Sequence, residues 1–189
     1  MGRWEPDARD RLVRAALDLF GEQGYENTSV VQIAERAGLT KSTFFRHFRD
    51  KREVLFGGQE ALAELMTGAI AAAPEDTRPL GLVEAALAAA AAPFTDEQRA
   101  IGPRRLVVIA GNDELRERAA LKSAGFAVAM TDAMLRRGVA EQEAAVAAQL
   151  GVLAFDRSYE TWLETGGDLV EVARRVLGDV RATARELTA

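Results

Sequence analysis

The chain has 189 residues, a formal net charge of −5, one histidine and no cysteine. The missing cysteines exclude disulfide staples, a cysteine nucleophile and thiolate zinc sites. A catalytic triad or histidine-rich metal centre would have to be built on His47 alone, so neither an enzymatic role nor a metal or cofactor is expected. No run of about 20 apolar residues occurs, and the first seven residues lack the apolar segment of a signal peptide. The chain is therefore read as cytoplasmic and without a membrane partner.

The acidic average hides a split. Residues 1–56 carry ten Lys/Arg against nine Asp/Glu, net +1, and the remainder nets −6. Between Lys41 and Arg52 stand five bases and one acid, Asp50. Basic charge is local, and the rest of the molecule is acidic.

Helical spacing and good helix formers run throughout, with no strand-like alternation, so the fold class is all-α. The first helix is expected over Pro6–Glu22, with Pro6 and Asp7 suited to its first turn and Val13, Ala16, Leu17 and Phe20 on one face. Ser29 has the character of an N-cap for a short helix to Ala37, and Gly38 supplies a turn. Thr40 caps a third helix, Lys41–Phe48. Asp50 and Glu53 have capping-box spacing, so a fourth helix is expected from near Lys51 to Ala73. Pro74 and Pro79 then mark a break. Further helices are expected over Leu80–Ala92, Thr95–Ile101, Pro103–Ala110, Asp113–Arg137 and Ala140–Glu164. Asp168 caps a last one reaching Leu187. The alanine run at 85–92 reads as a close-packing helix face.

Residues 29–48 thus read helix, glycine turn, helix. Phe44 and Phe48 share a face. If they point inward with Ile33, Ala34 and Leu39, rotation at about 100° per residue puts Ser42 and Arg46 outward. Lys41 and Phe45 fall on one flank, Thr43 and His47 on the other. Cations, hydroxyls, an imidazole and an aromatic on one exposed face suit a helix lying in a DNA major groove. Ser29 and Thr40 are equally explained as helix caps, and His47, Lys51 and Arg52 as solvated surface charge.

The run Thr28-Ser29-Val30 … Ile33-Ala34 … Ala37-Gly38-Leu39-Thr40-Lys41-Ser42-Thr43-Phe44-Phe45-Arg46-His47-Phe48 … Lys51 resembles the DNA-binding domain of the TetR family of bacterial repressors. Ala15-Ala16-Leu17-Asp18-Leu19-Phe20 … Gly24-Tyr25 is similar to that family's first helix, and the resemblance covers about residues 9–56. It implies phosphate contact from Ser29, shared by Thr28, and base reading by Lys41 and Ser42. It further implies backbone contact by Thr43, and phosphate contact by His47 and Lys51. Thr40 joins the set at the helix start. Arg46 falls at a variable position, where operator choice would differ. Phe45 stands where the family most often has Tyr; lacking the hydroxyl, it can touch only sugar or a thymine methyl. Val31 is a second departure, since some relatives are polar or basic there.

The resemblance implies a helix-turn-helix head over residues 1–54 and a ligand-binding and dimerisation body over 55–189. A homodimer on a palindromic double-stranded DNA operator is expected on physical grounds too, because two heads double the contacts. Its interface is expected in the last two helices, through Val152, Phe155, Tyr159 and Trp162 and through Leu169, Val172, Val176, Val180 and Leu187; ordinary core is the alternative for both stripes. Leu62, Met66, Ile70, Leu82, Phe94, Leu106, Ile109, Phe126, Met130 and Met134 are candidate lining for a small, apolar effector, since methionine adapts to varied shapes. Asn112 and Asp132 are candidates to orient a polar group on it. The expected function is a ligand-released repressor. The alternative is a helical-bundle interaction or ligand-carrier module that does not bind DNA specifically.

Overall fold

A computed structural model describes residues 8–187. Among these residues ten helices and no strand occur: α1 Ala8–Gln23, α2 Val30–Arg36, α3 Lys41–His47, α4 Glu53–Phe56, α5 Gln59–Ala72, α6 Pro79–Ala91, α7 Asp96–Ala110, α8 Asp113–Arg136, α9 Glu141–Thr165 and α10 Leu169–Glu186. The all-α reading holds. The expected role of Pro6 and Asp7 lies outside the described residues.

Two expected elements differ. The single fourth helix is instead α4 and α5, broken at Gly57-Gly58. Gly58 has φ +98°, a conformation open to glycine and resisted by side chains. Conversely, the two helices expected around Pro103 form one, α7, which runs through the proline. Proline removes one backbone donor, and here that loss does not end the helix.

The chain divides into two compact units. The first takes residues up to Gly57 together with Ile101–Ala119, and the second Gly58–Ala100 with residues from Ala120 onward. The expected division placed everything from 55 in one body, whereas the 101–119 segment joins the N-terminal unit.

In that first unit the core is Leu12, Ala16, Leu17, Phe20, Ile33, Ala34, Phe44, Phe48, Val54, Leu55 and Phe56, closed by Leu115 from α8. Leu115 has no exposed area. Ile101, Val108 and Ile109 of α7 pack against the same core. Polar contacts line the seam: Arg104 to Asp18 at 2.6 Å, Asn112 to Glu26 at 2.7 Å, Arg52 to Glu114 at 2.6 Å, and Arg118 to Glu53. Exposed ion pairs of this kind contribute roughly 0–1 kcal/mol each, while burying one leucine contributes about 1.5–3 kcal/mol. Leu115 therefore does more to hold the segment than any single charge pair.

The second unit packs Met66 and Ile70 of α5, Leu82, Val83 and Leu87 of α6, and Met130 and Met134 of α8 against α9 and α10. Ala86 and Ala90, from the alanine run, are fully buried. A Cβ on Gly151 would come within 2.9 Å of a Val83 methyl and 3.2 Å of the Met130 methyl, so the bare glycine is what lets α9 approach. Arg137 donates to the carbonyls of Ala73 at 2.8 Å and Pro74 at 2.6 Å, satisfying acceptors left over at the end of α5.

The two stripes expected at a subunit interface serve this core instead. Phe155, Trp162, Leu169 and Val172 are buried, and Val152, Tyr159, Val176 and Val180 pack against them. Of the nine, Leu187 alone is exposed, at 82%.

Leu115→Ala is expected to lower the stability of the first unit by about 2–5 kcal/mol, the range for a leucine truncated in a closed core. Urea unfolding followed by circular dichroism measures it. A loss below about 0.5 kcal/mol would mean that the 101–119 segment is not part of that core.

Candidate nucleic-acid interface

The reading surface is built from two short helices whose ends are fixed by their own side chains. At α2, the Ser29 hydroxyl oxygen accepts from the backbone N–H of Gln32 at 3.3 Å, and the Gln32 side-chain oxygen accepts from the backbone N–H of Ser29 at 2.8 Å. This reciprocal pair is a capping box. The α2–α3 turn places Gly38 at φ +66°. A Cβ there would come within 2.9 Å of the Arg11 guanidinium, which donates to the carbonyl of Ala37. At α3, the Thr40 hydroxyl oxygen accepts from the N–H of Thr43 at 3.1 Å, and the two hydroxyls lie 3.0 Å apart.

The rotation of α3 follows from burial. Phe44 has no exposed area and Phe48 3%, with their ring centroids 5.5 Å apart. Lys41, Ser42, Phe45, Arg46 and His47 are left outward, with Thr43 half-buried. Phe45 is 49% exposed, and the Lys41 ammonium stands 5.9 Å from its ring centroid. One face of about two turns therefore carries two cations, an imidazole, a hydroxyl and an apolar ring. Such a face can donate to bases and phosphates and can touch a thymine methyl. Val31 on α2 is also exposed, at 42%.

Two residues expected in this face lie elsewhere. Thr28 is 3% exposed and donates to the carbonyl of Gly24 at 2.8 Å, so its hydroxyl is used inside the turn. Lys51 is half-buried; its ammonium donates to the carbonyl of Tyr25 at 2.6 Å and stands 4.0 Å from the Tyr25 ring centroid. Burial lowers the pKa of Lys51, against the opposing pull of Glu26 and Glu114. Burial, with Glu114 next, pushes the Tyr25 phenol up to about 12. Burial alone would raise the Asp50 carboxyl; hydrogen bonds from Arg52 and the backbone N–H of Glu53 outweigh it and hold the group below its ordinary range. Tyr25 and Glu114 had no place in the sequence-derived site. Tyr25 entered only as part of the first-helix resemblance, and Glu114 lies about 60 residues away in the chain.

The candidate effector residues separate into two groups. Leu62, Met66, Ile70, Leu82, Phe94, Phe126, Met130 and Met134 belong to or pack against the core of the second unit. Ile109 packs against the core of the first unit, and Leu106, in the same segment, is 37% exposed. Asn112 caps α8 by accepting from the N–H of Leu115 at 3.0 Å, while Asp132 is exposed. A cleft of about 300 Å³ opens between α6 and α10, lined by Gly81, Glu84, Ala88, Val170, Arg174 and Leu177 among others; none of the ten candidates lines it.

Residues 12–57 match the family model described as bacterial regulatory proteins, tetR family. The chain is 43% identical over 81 residues to the HTH-type transcriptional regulator TcmR of Streptomyces glaucescens, which is 43% of this chain and 36% of TcmR. It is 40% identical over 68 residues to the class A tetracycline repressor protein from transposon 1721 of Escherichia coli, 35% of this chain and 32% of that protein. The matched stretch thus spans about a third of each relative. The fold resembles that of the transcriptional regulator FadR from Bacillus subtilis in complex with stearoyl-CoA, with TM-score 0.59, 19% identity, and coverage of 90% of this chain and 96% of that one. It also resembles SmeT in a SmeT–triclosan complex, with TM-score 0.59, 19% identity, and coverage of 93% and 90%.

Neighbouring phenylalanines test the rotation of α3. Phe44→Ala is expected to cost about 3–5 kcal/mol of stability, and Phe45→Ala to stay within about 0.5 kcal/mol. Denaturant unfolding of the two variants decides it. Equal losses would mean that Phe45 belongs to the core.

Proposed function

We propose that this chain, whose N-terminal domain belongs to the TetR family of bacterial regulatory proteins, is a cytoplasmic transcriptional repressor that binds a palindromic operator as a homodimer and is released by a small apolar ligand. The observation that carries this is the outward face of α3. It sets Lys41, Ser42, Phe45 and Arg46 around one exposed surface while Phe44 is sealed beneath.

In this reading α3 lies in the major groove. Arg46, opposite Phe44, donates two bonds to one guanine, and Lys41 and Ser42 reach neighbouring base edges. Phe45 covers a thymine methyl or a sugar. Thr43, His47, Ser29 and Thr40 hold the backbone, which fixes register without carrying sequence. Thr28 supports the turn from inside.

Two heads must address two half-sites one turn of DNA apart. The last two helices supply the contact between copies, through the side of α9 facing away from its core. Val146, at 55% exposure, and Leu153, at 46%, stand seven residues apart on that side, with Leu150 half-buried between them. On α10, Gly178 and Ala182 are exposed and small, which permits close helix approach.

The effector reading rests on a core of Leu62, Met66, Ile70, Leu82, Phe126, Met130 and Met134. These are flexible apolar side chains suited to parting around an apolar guest. The stearoyl-CoA and triclosan held by the fold relatives are largely apolar molecules, which supports the same class here. Ligand binding would release DNA by favouring a head spacing that no longer fits the half-sites.

Binding titrations on the DNA upstream of the gene, and on base-substituted versions, test the reading. The unmodified protein is expected to prefer one sequence. Arg46→Ala is expected to relax preference at one position per half-site by about 1–3 kcal/mol. Phe45→Ala is expected to weaken specific binding by a similar amount of about 1–3 kcal/mol, with Phe45→Tyr tolerated. Uniform weakening by Arg46→Ala would make it an anchor, and no sequence preference in the unmodified protein would favour a carrier or interaction module.

The interface has its own test. Arginine at both Val146 and Leu153 is expected to give a helical, folded monomer by light scattering and circular dichroism. A persistent tight dimer would remove α9 from the interface.

A further inference from the structure

Lys51 begins the segment after α3, where the family resemblance implies a phosphate contact. Its geometry assigns it a different task. The ammonium donates to the carbonyl of Tyr25 at 2.6 Å and sits 4.0 Å from the centre of the same residue's ring. Tyr25 is 9% exposed and stacks on Phe20 at 5.2 Å. A lysine held by a carbonyl and an aromatic face is not poised in solvent, and turning it toward DNA would break both contacts.

The carbonyl that Lys51 holds is a junction. It also accepts the backbone N–H of Thr28 at 3.3 Å. Thr28 in turn donates its hydroxyl to Gly24 and accepts from the Gln23 side chain at 3.3 Å. Gln23 donates as well to the carbonyl of Asn27 at 3.0 Å, and the Asn27 side chain donates back to the carbonyl of Gln23 at 2.9 Å. This closed turn ends at Ser29, which starts α2. Lys51 thereby ties the residue that opens α2 to the segment that follows α3.

We propose that Lys51 is a positioning residue that acts on DNA through Tyr25 and the 24–28 turn, by setting the place of Ser29, and does not itself meet phosphate. This rests on the DNA-binding reading above.

Two measurements test it. The first is nuclear magnetic resonance of the full-length protein. The ε-methylene protons of Lys51 are expected upfield from the Tyr25 ring current, to move back in Tyr25→Leu, and to remain upfield when operator DNA is bound. The second is the salt dependence of operator affinity for Lys51→Met and Ser29→Ala, alone and combined. Lys51→Met is expected to weaken binding about tenfold, the scale of a lost charged hydrogen bond, at an unchanged slope of log K against log salt. Ser29→Ala is expected to cost little further once Lys51 is replaced, because the hydroxyl is already displaced. A merely structural lysine would lower stability while leaving the cost of Ser29→Ala intact.

A phosphate contact from each protomer would instead make the slope shallower by about 1.8, and the ε-methylene shift would vanish on binding DNA. Either result overturns the proposal, as does wild-type affinity in Lys51→Met. Should that variant fail to fold, the shift in the unmodified protein and its persistence in the complex still decide. Absence of operator binding by the unmodified protein would remove the functional reading and this role with it, yet leave the upfield shift in free protein intact. The two failures are thus distinguishable.

Discussion

The burial of Phe44 is the constraint on which the reading surface depends. Side chains on a helix are locked to its rotation, so a residue sealed against Phe48, Ile33 and Ala34 fixes what faces out. Losing that seal costs several times what any surface contact contributes. Lys41, Ser42, Phe45 and Arg46 are therefore displayed by a decision made on the opposite side of the helix. Their chemistry is free to vary with the operator because none of them holds the fold.

The same unit shows how a short helix pair gains rigidity that local sequence cannot give. α2 and α3 have seven residues each, too few to persist alone in water. Their end caps orient them, and packing on α1 stabilises them. Closure then comes from far along the chain, where Leu115 completes the core and Asn112, Glu114 and Arg118 engage the N-terminal segment. Because the 101–119 segment leads directly into α8, the unit that carries the reading surface contains a covalent extension of the effector-core helix. The physical elements for coupling are thus continuous backbone and one fully buried leucine.

What was legible in the sequence was local and periodic. The Phe44–Phe48 spacing gave the face of α3, and Ser29, Gly38 and Thr40 gave the ends of the two helices, because each side chain acts within a few residues of its own backbone. Gly57-Gly58 was visible but was overridden by the helical register of Leu55, Leu62 and Met66; φ +98° at Gly58 is a property of the fold that spacing does not reveal. Pro103 misled in the other direction, since a proline weakens a helix by one bond without dictating its end. The partners of Lys51 and Leu115 were illegible for a different reason: a lysine's charge suggests solvent or phosphate, and nothing nearby in sequence announces a carbonyl 26 residues away. On α9 the apolar stripe of Phe155 and Trp162 was real, but a stripe alone does not say whether its neighbour is the same chain or another copy.

The central claim is that DNA is read by the outward face of α3. Backbone amide shift mapping of the labelled protein, titrated with operator and with a scrambled duplex of equal length, tests it most directly. The account predicts that operator-specific changes gather at Lys41, Ser42, Phe45, Arg46 and His47, while changes common to both duplexes gather at Ser29 and Thr43. Operator-specific changes centred away from α3, or identical changes with both duplexes, would contradict it.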